Sequence, residues 1–130
     1  MPSKEKKISV IGLGYIGLPT AIMLANKNIK VSGVDINKSI IKTLNSGNLH
    51  IKEPGLEKIY QNVLKKGLFK ADTKPEKSNV YIITVPTPLR KEKKNIIPVP
   101  DISFIINAVL GISHLLKKND LIILESTSPV

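Results

Sequence analysis

Three glycines spaced as Gly12, Gly14 and Gly17 follow directly on the apolar run Ile8 to Ile11 and lead into a helix-like pattern. These residue types at that spacing suit a cradle for a dinucleotide phosphate. Gly12 lets the chain leave a strand in a tight turn. Gly14 places no side chain between backbone and pyrophosphate, and Gly17 lets a new helix pack close to the sheet. The anion would rest on free N–H groups at the positive end of the helix dipole. Asp35 closes the next apolar run, eighteen residues beyond Gly17. A carboxylate there accepts hydrogen bonds from the adenosine ribose hydroxyls and repels a 2′-phosphate, so the expected cofactor is NAD rather than NADP. The alternative for Asp35 is a cap on the following helix, which is compatible with the first role.

Other polar residues carry less. Thr87 leaves the apolar run Val80 to Val85 through Pro86-Thr87-Pro88, and a loop at the carboxyl end of a central parallel strand is where such sheets contact cofactor. His50, in a loop with Glu53 and Pro54, is read as structural or solvent-exposed rather than ligand-facing. His114 is read the same way. No second His, Cys or acidic cluster stands at metal-ligand spacing, so no metal site is argued.

The elements that must position these residues read in order along the chain. Ile8–Ile11 is a fully buried strand, because an unalternating apolar run suits a parallel sheet covered on both faces. Helices are expected over Tyr15–Lys27, over Asn37–Ser46 with Gly47 as its left-handed stop, and over Leu56–Lys66 with Gly67 as cap. Strands are expected over Lys30–Val34, Leu68–Ala71, Val80–Val85 and Leu121–Leu124, the last again buried. Leu89–Pro100 is charged, flanked by prolines and expected to be mobile. After it, Asp101 should cap a helix whose apolar stripe is Ile105, Ile106, Val109, Ile112, Leu115 and Leu116. Repeated strand–helix alternation predicts a single α/β domain over residues 1–130, with a doubly wound, mostly parallel sheet of the Rossmann type ordered 3-2-1-4-5. Its switch point lies between the first and fourth strands. Gly12 to Gly17, Thr87 and Thr127 all emerge along that carboxyl edge.

Composition narrows the classes. With 130 residues and no cysteine, an ordinary apolar core must hold the domain, and thiol chemistry within these residues is excluded. The absence of cysteine fits a reducing cytoplasm. The amino terminus is polar and lysine-rich, unlike a signal peptide, and no apolar run nears the roughly 20 residues of a membrane span. A net charge of +10 suggests nucleic acid, but Arg90 is the only arginine among 20 basic residues and there is no tryptophan. Scattered lysines without interleaved aromatics read as a solvated surface, so no nucleic-acid partner is expected.

Five blocks together make the chain resemble the amino-terminal NAD-binding domain of the UDP-glucose/GDP-mannose dehydrogenase family. They are Ile11 to Ala21, Val34-Asp35-Ile36-Asn37, His50-Ile51-Lys52-Glu53-Pro54-Gly55-Leu56, Val85-Pro86-Thr87-Pro88 and Glu125-Ser126-Thr127-Ser128-Pro129-Val130. The second-last and last blocks argue against other Rossmann oxidoreductases such as hydroxyacid dehydrogenases. The His50 and Glu125 blocks look most like the members that act on UDP-N-acetyl-D-mannosamine.

The resemblance implies a cytoplasmic enzyme of polysaccharide precursor synthesis, a homodimer at full length, that oxidises the C6 alcohol of a UDP-sugar to a carboxylate with two NAD. In that family a cysteine captures the intermediate aldehyde and the resulting thioester is hydrolysed. Carried over to this sequence, Gly12, Gly14 and Gly17 would hold the pyrophosphate and Asp35 the ribose. Tyr15 and Ile16 would line the cofactor pocket, Thr87 would lie toward the nicotinamide, and Thr127 would help position water or substrate. The family's cysteine and UDP-binding domain have no counterpart in these 130 residues. The chain is therefore expected to bind NAD without completing the reaction, as an excised domain or truncated product. A stand-alone NAD-binding or regulatory module is the other reading.

Overall fold

The computed structural model describes residues 5–91, 93–94 and 97–126. Its elements are β1 (Lys7–Ile11), α1 (Gly17–Ala25), β2 (Lys30–Val34), α2 (Lys38–Asn45), α3 (Leu56–Lys65), β3 (Phe69–Asp72), β4 (Val80–Ile83), β5 (Leu89–Arg90), β6 (Val99–Pro100), α4 (Ser103–Ser113) and β7 (Leu121–Leu124). Five parallel strands form one sheet in the order β3-β2-β1-β4-β7. This is the predicted order, with the small β5–β6 ladder inserted between the fourth and fifth strands of the sheet.

β1 is central because its residues are apolar or small on both faces. Ile8 and Val10 join α1, α2 and α3 in the larger core, with Leu18, Ile22, Leu44, Tyr60 and Phe69. Ile11, one residue on from Val10 and so on the opposite face of β1, joins Val34, Tyr81, Ile83 and Ile112 of α4 in the smaller one. Burial of the Tyr60 ring pushes its phenol up to about 12. The hydroxyl donates to Leu44 O at 2.7 Å, and the ring meets Phe69 edge to face at 5.6 Å. Left-handed backbone at Gly47 and Gly67 ends α2 and α3 as their sequence signals require.

Two expectations are corrected. Leu121–Leu124 is a strand but not a buried one. Among the described residues it pairs with β4 alone, and its four apolar residues are 36 to 52% exposed. The helix stripe is likewise only partly used, since Ile112 is the buried residue of α4 while Ile106, Val109 and Leu116 stand at the surface. The stretch expected to be mobile carries a short antiparallel ladder at its two ends. Leu89 pairs with Pro100 and Arg90 with Val99, and Asp101 N donates to Pro88 O at 2.7 Å. Asp101 serves the start of α4 by accepting from Ser103 N at 2.9 Å, although Ile102 occupies the cap position.

Candidate functional site

At the carboxyl end of β1 the chain turns sharply at Gly12, whose φ of +100° favours glycine. A β-carbon there would lie 2.6 Å from Thr84 O. Gly17 opens α1 so close to this turn that a β-carbon would collide with the Gly12 carbonyl oxygen and Thr84 Oγ1. Gly14 differs from both, because a β-carbon there meets nothing within 4 Å. Two of the three glycines thus answer to packing of the protein against itself. The third faces open space.

Two successive peptide planes of the turn are held from three sides. Leu13 N donates to Asp35 Oδ2 at 2.9 Å, and Gly12 O accepts from Thr84 Oγ1 at 2.7 Å, so the Gly12–Leu13 plane is fixed at both ends. Gly12 N also donates to Val34 O at 2.7 Å, which carries the β1–β2 ladder into the turn. Leu13 O lies 2.6 Å from His50 Nε2. A carbonyl can only accept, so Nε2 carries the proton in this contact. The Leu13 side chain itself is fully buried.

Beyond Leu13 the turn is exposed at Gly14, Tyr15 and Ile16 and buried again at Gly17. The N–H groups of Gly14, Tyr15, Ile16 and Gly17 make no hydrogen bond to any described residue, and α1 has no side-chain cap. Unpaired amides at a helix start form an anion-binding concavity. Beside them Asp35 directly follows β2, half-buried, with Oδ1 accepting from Asn37 N at 2.9 Å. Each carboxylate oxygen keeps a further lone pair. The cap on α2 is Asn37, which accepts from Ser39 N and Ile40 N, so Asp35 is not needed as a cap. Tyr15 and Ile16 in the turn and Ile36 next to Asp35 in the chain are large apolar residues left 76, 63 and 79% exposed. Open backbone at Gly14, unpaired amides and a carboxylate with spare lone pairs fit a dinucleotide.

Thr87 lies half-buried beyond the end of β4, on the same edge of the sheet. Thr127 lies outside the described residues. His114 is the exposed last residue of α4's cap, as expected. Two surface cavities lie elsewhere. One of about 420 Å3 sits at the amino ends of β1, β2 and β3, lined by Lys7, Lys30 and Lys70, and one of about 330 Å3 sits between Leu44, Tyr60 and Phe69.

Sequence reading missed Thr84 and the contact of His50. The signal for Thr84 is a polar residue near the end of an otherwise apolar run, Val80 to Val85. His50 has no such local signal, because its partner is 37 residues away.

Comparison with known proteins matches residues 6–130 to the UDP-glucose/GDP-mannose dehydrogenase family, NAD binding domain. The chain is 48% identical over 124 residues to the UDP-N-acetyl-D-mannosamine dehydrogenase of Campylobacter jejuni, covering 95% of this chain and 30% of that protein. It is 46% identical over 125 residues to an NDP-N-acetyl-D-galactosaminuronic acid dehydrogenase of Ralstonia nicotianae, covering 96% and 28%. Its fold superposes on the UDP-N-acetyl-mannosamine dehydrogenase of Staphylococcus aureus with a TM-score of 0.89 at 46% identity, over 95% of this chain and 29% of that one. The chain spans less than a third of the length of each.

Proposed function

The chain belongs to the UDP-glucose/GDP-mannose dehydrogenase family as its NAD-binding domain, and from this we propose that it is the cofactor part of a cytoplasmic UDP-sugar 6-dehydrogenase. The substrate is UDP-N-acetyl-D-mannosamine, the C6 alcohol of which is oxidised to the uronic acid. The identities of 46 to 48% to enzymes named for that sugar support this choice. The observation that carries the cofactor reading is the row of unpaired amides from Gly14 to Gly17 opening beside the Asp35 carboxylate.

Each residue has a physical task. The Gly14 to Gly17 amides take the pyrophosphate, with Gly12 and Gly17 shaping the turn and Gly14 leaving the approach clear. Asp35 accepts the adenosine ribose hydroxyls and disfavours a 2′-phosphate. Tyr15 and Ile16 shield the cofactor from water, and Thr87 orients its nicotinamide side. Thr127 positions water or substrate. When bound, NAD supplies the hydride acceptor. The nucleophilic thiol must come from outside these 130 residues, which contain no cysteine, so the chain alone holds NAD without turnover, and the longer protein is a homodimer.

Calorimetric titration of the chain with NAD and NADP tests the cofactor assignment, with tighter binding of NAD expected. Absence of NAD binding would refute it. Assay of the longer protein with UDP-N-acetylmannosamine, UDP-N-acetylglucosamine and UDP-glucose in parallel tests the substrate. Oxidation of UDP-glucose alone would overturn that choice, and NADH formation by the 130 residues alone would overturn the division of labour.

A further inference from the structure

His50 lies in the segment between α2 and α3, far from the turn in sequence, yet its imidazole is the only described side chain that holds the Leu13 carbonyl. The segment is anchored on both sides of it. Ile51 is buried in the main core, Asn48 N donates to Thr43 O at 3.1 Å, and Gln61 Nε2 donates to Gly47 O at 2.7 Å. The imidazole is inserted rather than draped over the surface, since its Nδ1 is buried without a partner among the described residues. A buried acceptor left unpaired is a cost that the Nε2 contact must offset.

The consequence follows from planarity. In a trans peptide the C=O and the following N–H point in opposite directions. By drawing the Leu13 carbonyl toward the α2–α3 segment, His50 turns the Gly14 N–H the other way. That N–H has no partner among the described residues, and it belongs to the glycine whose outer side is open. The preceding plane is held by Asp35 and Thr84, but neither touches the Leu13–Gly14 plane.

We propose that His50 is a positioning residue for the dinucleotide, orienting the Gly14 amide toward the pyrophosphate through the Leu13 carbonyl. This rests on the reading of the turn as the pyrophosphate site. It makes the α2–α3 segment, through the His50 contact with Leu13 O, a determinant of cofactor affinity.

The test compares His50→Leu with His50→Gln, whose amide Nε2 can donate to the same carbonyl. NAD binding is measured by calorimetry and adenosine binding by ligand-observed NMR. His50→Leu is expected to raise the NAD Kd roughly five- to tenfold, the loss of about one oriented hydrogen bond. Adenosine, which lacks the pyrophosphate, should bind both variants within about twofold of the original chain, and His50→Gln should recover NAD binding to a similar margin. An unchanged NAD Kd in His50→Leu overturns the proposal. So does equal weakening of NAD and adenosine, or a Gln variant no better than Leu.

Should the Leu variant fail to fold, 15N NMR of the imidazole in the unaltered chain decides. A neutral ring protonated on Nε2 and perturbed by added NAD supports the role, and a ring protonated on Nδ1 refutes it. An unaltered chain that binds no NAD defeats the cofactor reading and this proposal together. One that binds NAD as well after His50→Leu defeats only the role of His50.

Discussion

Alanine at Gly14 and alanine at Gly17 should separate binding from folding within a single turn. At Gly17 the added methyl meets three atoms of the protein, the Gly12 carbonyl oxygen and carbon and Thr84 Oγ1, and the Gly12 pair is backbone that cannot swing aside. Overpacking of this kind costs about 1–3 kcal/mol. Displacing the Gly12 carbonyl also loosens its 2.7 Å bond from Thr84, about 1 kcal/mol more. Alanine's helical preference over glycine returns at most about 1 kcal/mol. The net loss is about 1–3 kcal/mol, which for a domain of this size lowers Tm by roughly 5 to 12 °C.

At Gly14 no atom lies within 4 Å and the backbone is not left-handed, so alanine should leave stability unchanged within about 0.5 kcal/mol. Its methyl would instead stand where the pyrophosphate approaches, raising the NAD Kd about tenfold or more. Thermal unfolding and calorimetric titration of the two variants give both quantities. A Gly14→Ala chain that binds NAD normally would show that no phosphate approaches that backbone, and a Gly17→Ala chain of normal Tm would refute the packing argument.

Asp35→Asn removes the charge that repels a 2′-phosphate, and the preference for NAD over NADP should fall about tenfold by competitive titration. An unchanged preference would remove Asp35 from the ribose site. Hydrogen bonds from Lys7, then Lys70, hold the Glu76 carboxyl below its ordinary value of 4.5. A carboxyl lowered on folding stabilises the native state above that value, and the contribution is lost as pH falls through the folded pKa. Glu76→Gln should therefore cost up to about 1 kcal/mol at pH 7, with the difference closing below about pH 4 in urea melts; a pH-independent difference would contradict the assignment. The exposed apolar residues of β7 should make the chain self-associate at high concentration, and Ile122→Lys should suppress this. Sedimentation showing a monomer throughout would count against it.

Much of this protein was legible because its signals are local. The unalternating run Ile8 to Ile11, the left-handed stops at Gly47 and Gly67, and the spacing from Gly17 to Asp35 are each set by neighbours in the chain. From them came the strand order and the candidate turn. Burial of β7 was not legible, because an apolar run looks the same at a sheet edge as at its centre. What differs is the number of neighbouring strands, which is a property of the assembled sheet.

The same division runs through the site. Residue type and spacing determined that Gly12, Gly14, Gly17 and Asp35 could cradle a dinucleotide. Only the tertiary structure decided which glycine faces open space and which amides stay unpaired. It also decided that Thr84 and His50, 72 and 37 residues from their acceptors, set the peptide planes between them. A hydrogen bond that closes across so many residues leaves no local pattern, because its geometry exists only after the strands have paired and the segment between α2 and α3 has packed.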